Sequence, residues 1–407
     1  MKKVLRCIGL FIMVLGCGTR SSSELKEGEW RATMQVSDNE QLPFNFTLTK
    51  EDETNYVLTI KNAEEEIRVD EFAFNADSIR INMPVFEGYI LGTYSENRIQ
   101  GNFIKESLDR IVPFEAEFGE KPRFERKLQP EFDVTGIWET EFNYGTDSLY
   151  VAKGIFEQNE GRVIGTFRTK TGDYRYLEGI VDGNRLKLST FDGAHVFLFT
   201  AQVTDSTLNG KFYSGNHYTE IFRAKRNPNF ELPDANTLTF LKEGYERFDF
   251  SFPDAQGNQI GINDDSFKNK VVLVQIMGTW CPNCLDETKF YVDYLKNNPN
   301  SNLKVVALAF EYAKTEAKAF ASIQRLVDRV EVPYPVLLAQ TGTSSKTKAN
   351  EKLPMLNHVL SYPTTIYIDK KGNVRKIHTG FNGPATGVMY EKFKKEFDQT
   401  IDGLLAE

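Results

Sequence analysis

The feature that most constrains this chain is an apolar run that leads directly into a pair of cysteines. The run VVLVQIM occupies 271–277, and Cys281 and Cys284 follow it with two residues between them. A short run that is almost wholly apolar is typical of a buried strand. Apolar residues then recur at helical spacing from Leu285 to Leu295. The pattern therefore predicts a strand that delivers Cys281 to the N-terminus of a helix.

This position predicts different roles for the two sulfurs. Pro282 fits the first helical position, where its missing N–H group costs nothing. The free N–H groups and the dipole at a helix N-terminus stabilise an anion, so Cys281 is expected to be the nucleophilic sulfur. Cys284 lies one turn further on, within reach of a disulfide formed at Cys281. Thiol–disulfide exchange needs this arrangement.

Two segments carry a resemblance to a known family. The sequence WCPNC at 280–284, placed after a strand, resembles the thioredoxin superfamily. The preceding Gly278 and Thr279, together with Glu287, resemble its TlpA/ResA branch of extracytoplasmic, membrane-anchored thiol–disulfide oxidoreductases. The sequence YPTTIYIDKKG at 362–372 is similar to that family's cis-proline loop. The resemblance implies an α/β thioredoxin-like domain over 245–407, with a redox-active disulfide and no other cofactor.

Glu287 is the candidate proton acceptor. It follows Cys284 by three residues, which places both on one face of a helix. A carboxylate there can take the proton that Cys284 must lose before it attacks. Thioredoxin carries an acid on the preceding strand, where this chain has Gln275. The alternative is a solvated helix residue, the role expected for Asp286.

The resemblance also implies a substrate-binding loop. In this family a cis-proline, here Pro363, faces the dithiol, and the backbone of the preceding residue, Tyr362, meets the client. Thr364 and Trp280 complete the predicted client-binding set. A strand-start proline and a packing role for Trp280 are the alternatives. The implied partners are an oxidised client protein and a membrane thiol reductase that donates electrons, which favours reductase over oxidase.

Two rival chemistries fit less well. A zinc site needs two ligands beyond the cysteines, and no two of the four histidines are at ligand spacing: His195, His217, His358 and His378. We therefore predict no metal. A thioredoxin-like peroxidase would need a hydroxyl residue where Gly278 stands.

The N-terminus predicts export. Lys2 and Lys3 precede a short apolar stretch that ends at Gly16–Cys17, a pattern that resembles a bacterial lipoprotein signal. We predict a signal peptide over 1–16, lipidation of Cys17 and a polar tether over 17–26, so that the protein is a periplasm-facing lipoprotein held in a membrane by its lipid. An ordinary signal peptide is the alternative.

Between the tether and the cysteine domain the sequence predicts two all-β modules. Short alternating strands separated by Gly, Asn and Asp fill this region. Segments recur in the same order after about 105 to 109 residues, for example GEW at 28–30 and GIW at 136–138. We predict lipocalin-like barrels or sandwiches at 27–125 and 132–226, followed by a linker at 227–244.

The composition excludes one class of partner and leaves one alternative function. The net charge of −8 and the absence of a long basic run argue against nucleic acid. The chain is therefore predicted to be a cell-envelope thiol–disulfide oxidoreductase. The alternative is a ligand- or partner-binding lipoprotein in which the β-modules carry the main function and the redox domain serves that complex.

Overall fold

A computed structural model describes residues 24–52 and 55–407. The predicted signal peptide, Cys17 and most of the tether lie outside these residues. Within the described part of the chain, no helix has the length and apolar character needed to cross a membrane.

The described residues form twenty-five strands and four α-helices. In chain order they are β1 Gly28–Ser37, β2 Glu40–Lys50, β3 Tyr56–Asn62, β4 Glu65–Val69, β5 Glu71–Asn75, β6 Ser78–Asn82, β7 Tyr89–Ser95, β8 Arg98–Lys105, β9 Arg110–Phe118, β10 Gly136–Phe142, β11 Tyr150–Asn159, β12 Arg162–Thr169, β13 Gly172–Asp173, β14 Leu177–Asp182, β15 Arg185–Phe191, β16 Val196–Val203, β17 Thr207–Ser214, β18 Tyr218–Arg226, β19 Ser251–Pro253, β20 Gln259–Gly261, β21 Val271–Met277, α1 Pro282–Asn297, β22 Leu303–Phe310, α2 Glu316–Val330, β23 Val336–Gln340, α3 Lys346–Lys352, β24 Thr364–Ile368, β25 Val374–Thr379 and α4 Val388–Ala406.

Strands β1 to β9 form the first β-module, a single antiparallel sheet in the order β4-β3-β2-β1-β9-β8-β7-β6-β5. The first strand pairs with the second and the last, so the sheet curls into a nearly closed barrel. Inward-facing apolar side chains alternate with outward-facing polar ones along β1, as expected where one face of a sheet is buried. Strands β4 and β5 remain as the two edges.

Strands β10 to β18 form the second β-module, which closes because β11 pairs with β12. The predicted repeat has a structural counterpart, since β10 pairs with β11 and β18 as β1 pairs with β2 and β9. Trp30 and Trp138 occupy equivalent places, and each indole N–H donates to the carbonyl four residues earlier, at 2.9 and 2.8 Å. Both modules are therefore barrel-like.

The C-terminal domain has a five-stranded sheet in the order β23-β22-β21-β24-β25. β21 is the central strand, parallel to β22 and antiparallel to β24. Every residue of β21 is buried, which explains why the 271–277 run is apolar throughout. This is the thioredoxin-like α/β arrangement that the sequence predicted.

One segment of this domain is more regular than its sequence suggests. The stretch 334–356 resembles an inserted piece in the sequence, but it contributes β23 and α3. β23 pairs in parallel with β22, and all five of its residues are buried. A short apolar strand that follows two prolines resembles a loop in sequence, because its apolar run is too short to show a period.

Candidate active site

Cys281 lies at the turn between β21 and α1, where it caps the helix. Its Sγ atom accepts a hydrogen bond from the Cys284 backbone N–H at 3.3 Å. It also lies 3.4 Å from the carbonyl oxygen of Tyr362, to which the thiol can donate. The side chain is 8% exposed. The structure thus places one reachable sulfur at a helix N-terminus, as predicted.

Cys284 lies one turn inside α1 and is completely buried. Both cysteines are free thiols. Burial raises the pKa of the Cys284 thiol well above its usual range, and the neighbouring Cys281 and Glu287 raise it further. Cys284 therefore needs a proton acceptor before it can act as a nucleophile.

Glu287 lies three residues after Cys284 on α1, and its charge acts on the Cys284 thiol. It is fully buried, its Oε2 atom accepts from Gln275 Nε2 at 2.9 Å, and its Oε1 atom accepts from Thr365 Oγ1 at 3.0 Å. Burial raises the pKa of Glu287 to about 7 against these lowering hydrogen bonds. A carboxyl with this pKa can both accept and release a proton near neutral pH. It is not a solvated helix residue.

A second buried carboxyl, Glu311, supports the turn before Cys281. Its two oxygens accept from the Thr279 backbone N–H at 2.7 Å and from the Thr279 hydroxyl at 2.8 Å. Burial raises the pKa of Glu311 to about 7. Its place directly after β22, the strand beside β21, was the signal that could have identified it.

The predicted substrate loop lies beside the dithiol. The Tyr362–Pro363 peptide bond is cis. Trp280 packs edge-on against Tyr362, with ring centroids 5.5 Å apart, and its indole N–H donates to the Phe310 carbonyl at 2.9 Å. Thr364 is fully buried and donates to the Ser361 carbonyl, so its side chain shapes the loop, and it is not among the residues that line the cleft at Cys281.

The second β-module packs against this end of the C-terminal domain. The Thr171 carbonyl accepts from Ser361 Oγ at 2.8 Å, and the Asp173 carbonyl accepts from Asn283 Nδ2 at 3.1 Å. Gly172 lies between them, so close to Asn283 that a β-carbon would lie 2.0 Å from Nδ2. The turn that contains β13 is therefore part of the rim of the site.

Asp286 belongs to this contact, which corrects the prediction that it is solvated. Its carboxylate pairs with the Arg175 guanidinium, and the two side chains are 12% and 6% exposed. Arg175 also pairs with Glu65 of the first β-module. A single buried cation thus joins both β-modules to the cysteine helix.

A cleft of about 620 Å³ runs between the second β-module and Cys281. Its lining is largely aromatic and aliphatic, with Lys170 and His195 as the basic groups, and includes Leu149, Tyr150, Tyr174, Phe197, Trp280, Cys281, Leu360 and Tyr362. This volume lies in the range of small-molecule and short-peptide sites. A substrate that reaches Cys281 through the cleft contacts residues of both domains.

The remaining candidates for chemistry have structural roles. Within 24–52 and 55–407, no group of three His, Cys, Asp or Glu side chains is arranged to hold a metal ion. His378 is buried, its Nδ1 atom lies 2.9 Å from Asn236 Oδ1, and burial lowers its pKa to about 4. A β-carbon at Gly278 would lie 2.4 Å from the Trp280 ring nitrogen, so the turn has no room for the hydroxyl residue of a peroxidase.

Comparisons with known proteins find similarity in the C-terminal part of the chain. Residues 242–391 match the Redoxin family. The thioredoxin-like protein YneN of Bacillus subtilis (strain 168) is 28% identical over 162 residues, which are 40% of this chain and 80% of that protein. The thiol–disulfide oxidoreductase ResA of Bacillus thuringiensis subsp. konkukian (strain 97-27) is 26% identical over 156 residues, 38% of this chain and 79% of that protein.

Solved structures are similar over a comparable share of the chain. A thiol–disulfide oxidoreductase from Bacteroides fragilis NCTC 9343 is 18% identical, covers 37% of this chain and 99% of that one, and has a TM-score of 0.27. A putative protein disulfide isomerase from Bacteroides thetaiotaomicron is 18% identical, covers 43% of this chain and 95% of that one, and has a TM-score of 0.30.

Proposed function

Because the C-terminal domain is a redoxin domain of the thioredoxin-like thiol–disulfide oxidoreductases, we propose that this chain is an extracytoplasmic, membrane-anchored protein-disulfide reductase. The observation that carries the proposal is the unequal placement of the two thiols. Cys281 lies at a helix N-terminus and lines an open cleft, whereas Cys284 is buried behind it. A nucleophile that meets the client and a resolving thiol that does not are the two parts that reduction by a dithiol requires.

The proposed reaction has two steps. The Cys281 thiolate attacks one sulfur of the client disulfide, which forms a mixed disulfide and releases the other client sulfur as a thiolate. The Cys284 thiolate then attacks Cys281 Sγ, which forms the Cys281–Cys284 disulfide and releases the second client thiolate. Solvent protonates both client thiolates. The client gains two electrons, and an external dithiol donor later returns two electrons to the enzyme.

Glu287 serves the second step in this proposal. The Cys284 thiol must lose its proton in a buried site where burial opposes ionisation. Glu287, whose pKa is near neutrality, accepts that proton directly or through one water molecule. The hydrogen bonds from Gln275 and Thr365 hold its carboxylate in place. Glu311 holds the turn before Cys281 and is a positioning residue.

The client is proposed to bind between the two domains. Tyr362 and Pro363 present backbone beside Cys281, while Trp280 forms the adjoining wall of the cleft. Lipidation of Cys17 would hold the protein in a membrane of the cell envelope, facing the periplasm. A membrane thiol reductase is the proposed electron donor, because the family that the sequence resembles receives electrons in this way.

A second candidate function is ligand binding by the β-modules, with the redox domain in a supporting role. One observation favours it, since residues of the second β-module form about two thirds of the lining of the cleft at Cys281. A peroxidase is the weaker alternative, because Gly278 is confined by the Trp280 ring.

Trapping tests the proposal in the full chain. Cys284→Ala should accumulate a mixed disulfide at Cys281 in envelope extracts, and Cys281→Ala, the matched control, should not. Mass spectrometry then identifies the client. A reductase should also equilibrate with dithiol buffers at a potential nearer to about −270 mV than to about −120 mV. No adduct with Cys284→Ala and no disulfide reduction by the wild type would refute the proposal.

A further inference from the structure

A small pocket next to the dithiol cleft is lined by two strong cations, and neither forms an ion pair with a carboxylate of the described residues. It has a volume of about 280 Å³ and lies between the two β-modules and the C-terminal domain. Lys105 and Arg110 of the first module, His217 of the second, and Trp280 and Tyr312 of the C-terminal domain line it. Three separate parts of the fold therefore meet around one cavity.

The two strong cations of this pocket lie directly opposite each other. Lys105 ends β8, Arg110 begins β9, and the two residues are cross-strand partners. Like charges in this position destabilise a sheet. In the described part of the chain, neither side chain has a carboxylate within 4.0 Å. The pair therefore costs stability that an anion in the pocket would restore.

Lys105 is the more unusual of the two because it is only 8% exposed. Its ammonium group donates to the Ala194 carbonyl at 3.3 Å, which leaves further N–H groups for a ligand. A buried ammonium without an ionic partner is expensive to maintain. Desolvation and, to a smaller extent, the charge of Arg110 lower the pKa of Lys105 to about 8, against the opposite effect of Asp192 and Glu87.

The nearby acids are engaged elsewhere. Asp192 Oδ2 accepts from the Nδ1–H group of the His195 ring at 3.0 Å and lies 3.7 Å from the Arg175 guanidinium. Glu87 accepts from the Ser107 backbone N–H at 2.6 Å. Both acids raise the pKa of Lys105 through space. Their own hydrogen bonds hold them elsewhere, so Lys105 and Arg110 have no carboxylate of the described residues in direct contact.

The pocket and the dithiol cleft share a wall. His195, Phe197 and Trp280 line both cavities. A segment whose cysteine reaches Cys281 in the cleft can therefore place a neighbouring side chain beyond this wall, beside Lys105 and Arg110. The aromatic part of the wall suits extended polypeptide, and the cations suit a carboxylate.

We propose that Lys105 and Arg110 bind a carboxylate of the client, so that the enzyme prefers disulfides carried on acidic segments. This inference rests on the proposed function, since the client is the molecule that Cys281 attacks. It adds a substrate class, namely a cysteine with an Asp or Glu a few residues away in an otherwise apolar stretch. The first β-module then has a direct part in substrate choice.

Matched peptides test the inference in the full chain. Short disulfide-linked peptides with one Glu, scanned from two to five residues from the cysteine, are compared with Gln twins in single-turnover reduction by pre-reduced protein. At the best position the Glu peptide should reach half-saturation at a concentration about tenfold lower than its Gln twin. This difference is the effect expected of one charge-assisted hydrogen bond. The Lys105→Met/Arg110→Met double variant should lose this preference for the Glu peptide. Lys211→Met, which removes an exposed charge from β17, should keep it.

The remaining arms separate the possible failures. The inference would be overturned if the Glu and Gln peptides reached half-saturation of the wild type at the same concentration. It would also be overturned if the double variant kept the preference for the Glu peptide. Failure of the wild type to reduce a small neutral disulfide would refute the proposed function. The pocket can still be tested in that case, because fluorescence anisotropy measures the binding of unreactive peptides in which serine replaces cysteine. If inorganic phosphate stabilises the wild type but both peptides bind equally, the pocket takes a free anion and the client carboxylate is excluded. Arg110→Gln replaces the double variant if that variant does not fold.

Discussion

Arg175 of the second β-module forms an ion pair with Asp286 of the cysteine helix, and both side chains are almost completely withdrawn from solvent. The same guanidinium pairs with Glu65 of the first β-module. A single side chain thus connects the three parts of the chain at a point two residues from Cys284. The helix that carries the dithiol is therefore tied to both β-modules by buried ion pairs.

The first prediction concerns this cation. Arg175→Met should lower the free energy of unfolding by about 3 kcal/mol, because it leaves buried carboxylates without their partner. Denaturant unfolding of the full chain measures this loss. The matched control is Arg162→Met, which breaks a more exposed pair with Glu178 and should cost less than about 1 kcal/mol. Equal losses in both variants would mean that the buried pair has no special role.

The second prediction assigns Glu287 to the resolving step. Glu287→Gln keeps the hydrogen bonds with Gln275 and Thr365 but removes the proton acceptor. Release of product by Cys284 should slow by about 10- to 100-fold, while attack by Cys281 changes less. Single-turnover disulfide exchange resolves the two steps. Glu351→Gln on α3, an exposed change, is the control, and a Glu287→Gln variant with unaltered rates would leave proton transfer to water or Glu311.

Stability should fall as the pH rises through neutrality. The pKa values of Glu287 and Glu311 are raised from 4.5 to about 7 in the folded protein, so the folded state binds protons more tightly than the unfolded state. Their contribution is fully present below pH 4.5 and is lost as the pH passes 7. Above that pH, each carboxyl lowers the free energy of unfolding by up to about 3 kcal/mol.

Glutamine variants isolate this effect. Glu287→Gln should flatten the pH dependence of unfolding between pH 5 and 8, because the amide does not titrate, as should Glu311→Gln at its own site. Thermal unfolding across this range provides the measurement. A wild-type curve that is level over the same range would show that neither carboxyl is protonated near neutral pH in the folded protein.

The anchor gives a fourth prediction. Cys17→Ala should release the mature protein from membranes and abolish incorporation of labelled fatty acid, since lipidation of this residue is the proposed attachment. Cell fractionation follows the protein. Cys7→Ala, which changes a residue inside the predicted signal peptide, should leave membrane attachment intact. A Cys17→Ala protein that still pellets with membranes would exclude the lipoprotein.

The fifth prediction concerns modularity. A fragment that begins at Tyr245 should fold alone and reduce a small disulfide, because the strands of its five-stranded sheet are all internal to it. Removal of the second β-module also opens the cleft, so alkylation of Cys281 should be faster than in the full chain. Circular dichroism and thiol labelling test the two points. An unfolded fragment would place the boundary elsewhere.

The sequence predicted those parts of the site that depend on neighbouring residues. The strand, the turn and the helix start around Cys281 follow from local periodicity and from Pro282, and the distance from Cys284 to Glu287 is fixed by helical geometry. The cis-proline loop was found only through a family resemblance. These predictions needed no knowledge of how distant parts of the chain meet.

The remaining features depend on contacts between residues far apart in the chain. Asp286 is an ordinary helix residue until Arg175, 111 residues earlier, packs against it. Glu311 has a role only because β22 brings it to the turn at Thr279, and Lys105 meets His217 only when the two β-modules are assembled. Side-chain spacing carries no information about such encounters, so a sequence pattern could not have placed them.

The open edge of the first β-module has a consequence for how the protein tolerates damage. Its edge strands β4 and β5 are joined at Asp70, and Asp70 and Glu71 bind Arg329 and Arg325 of α2 at 3.0 and 2.8 Å. The sheet of the second β-module is closed by the pairing of β11 with β12, so it has no comparable open edge among its described strands. A substitution of Arg325 or Arg329 would therefore release the open edge of a barrel that lies more than 200 residues earlier in the chain. A mutation that destabilises the N-terminal module can thus lie in the redox domain.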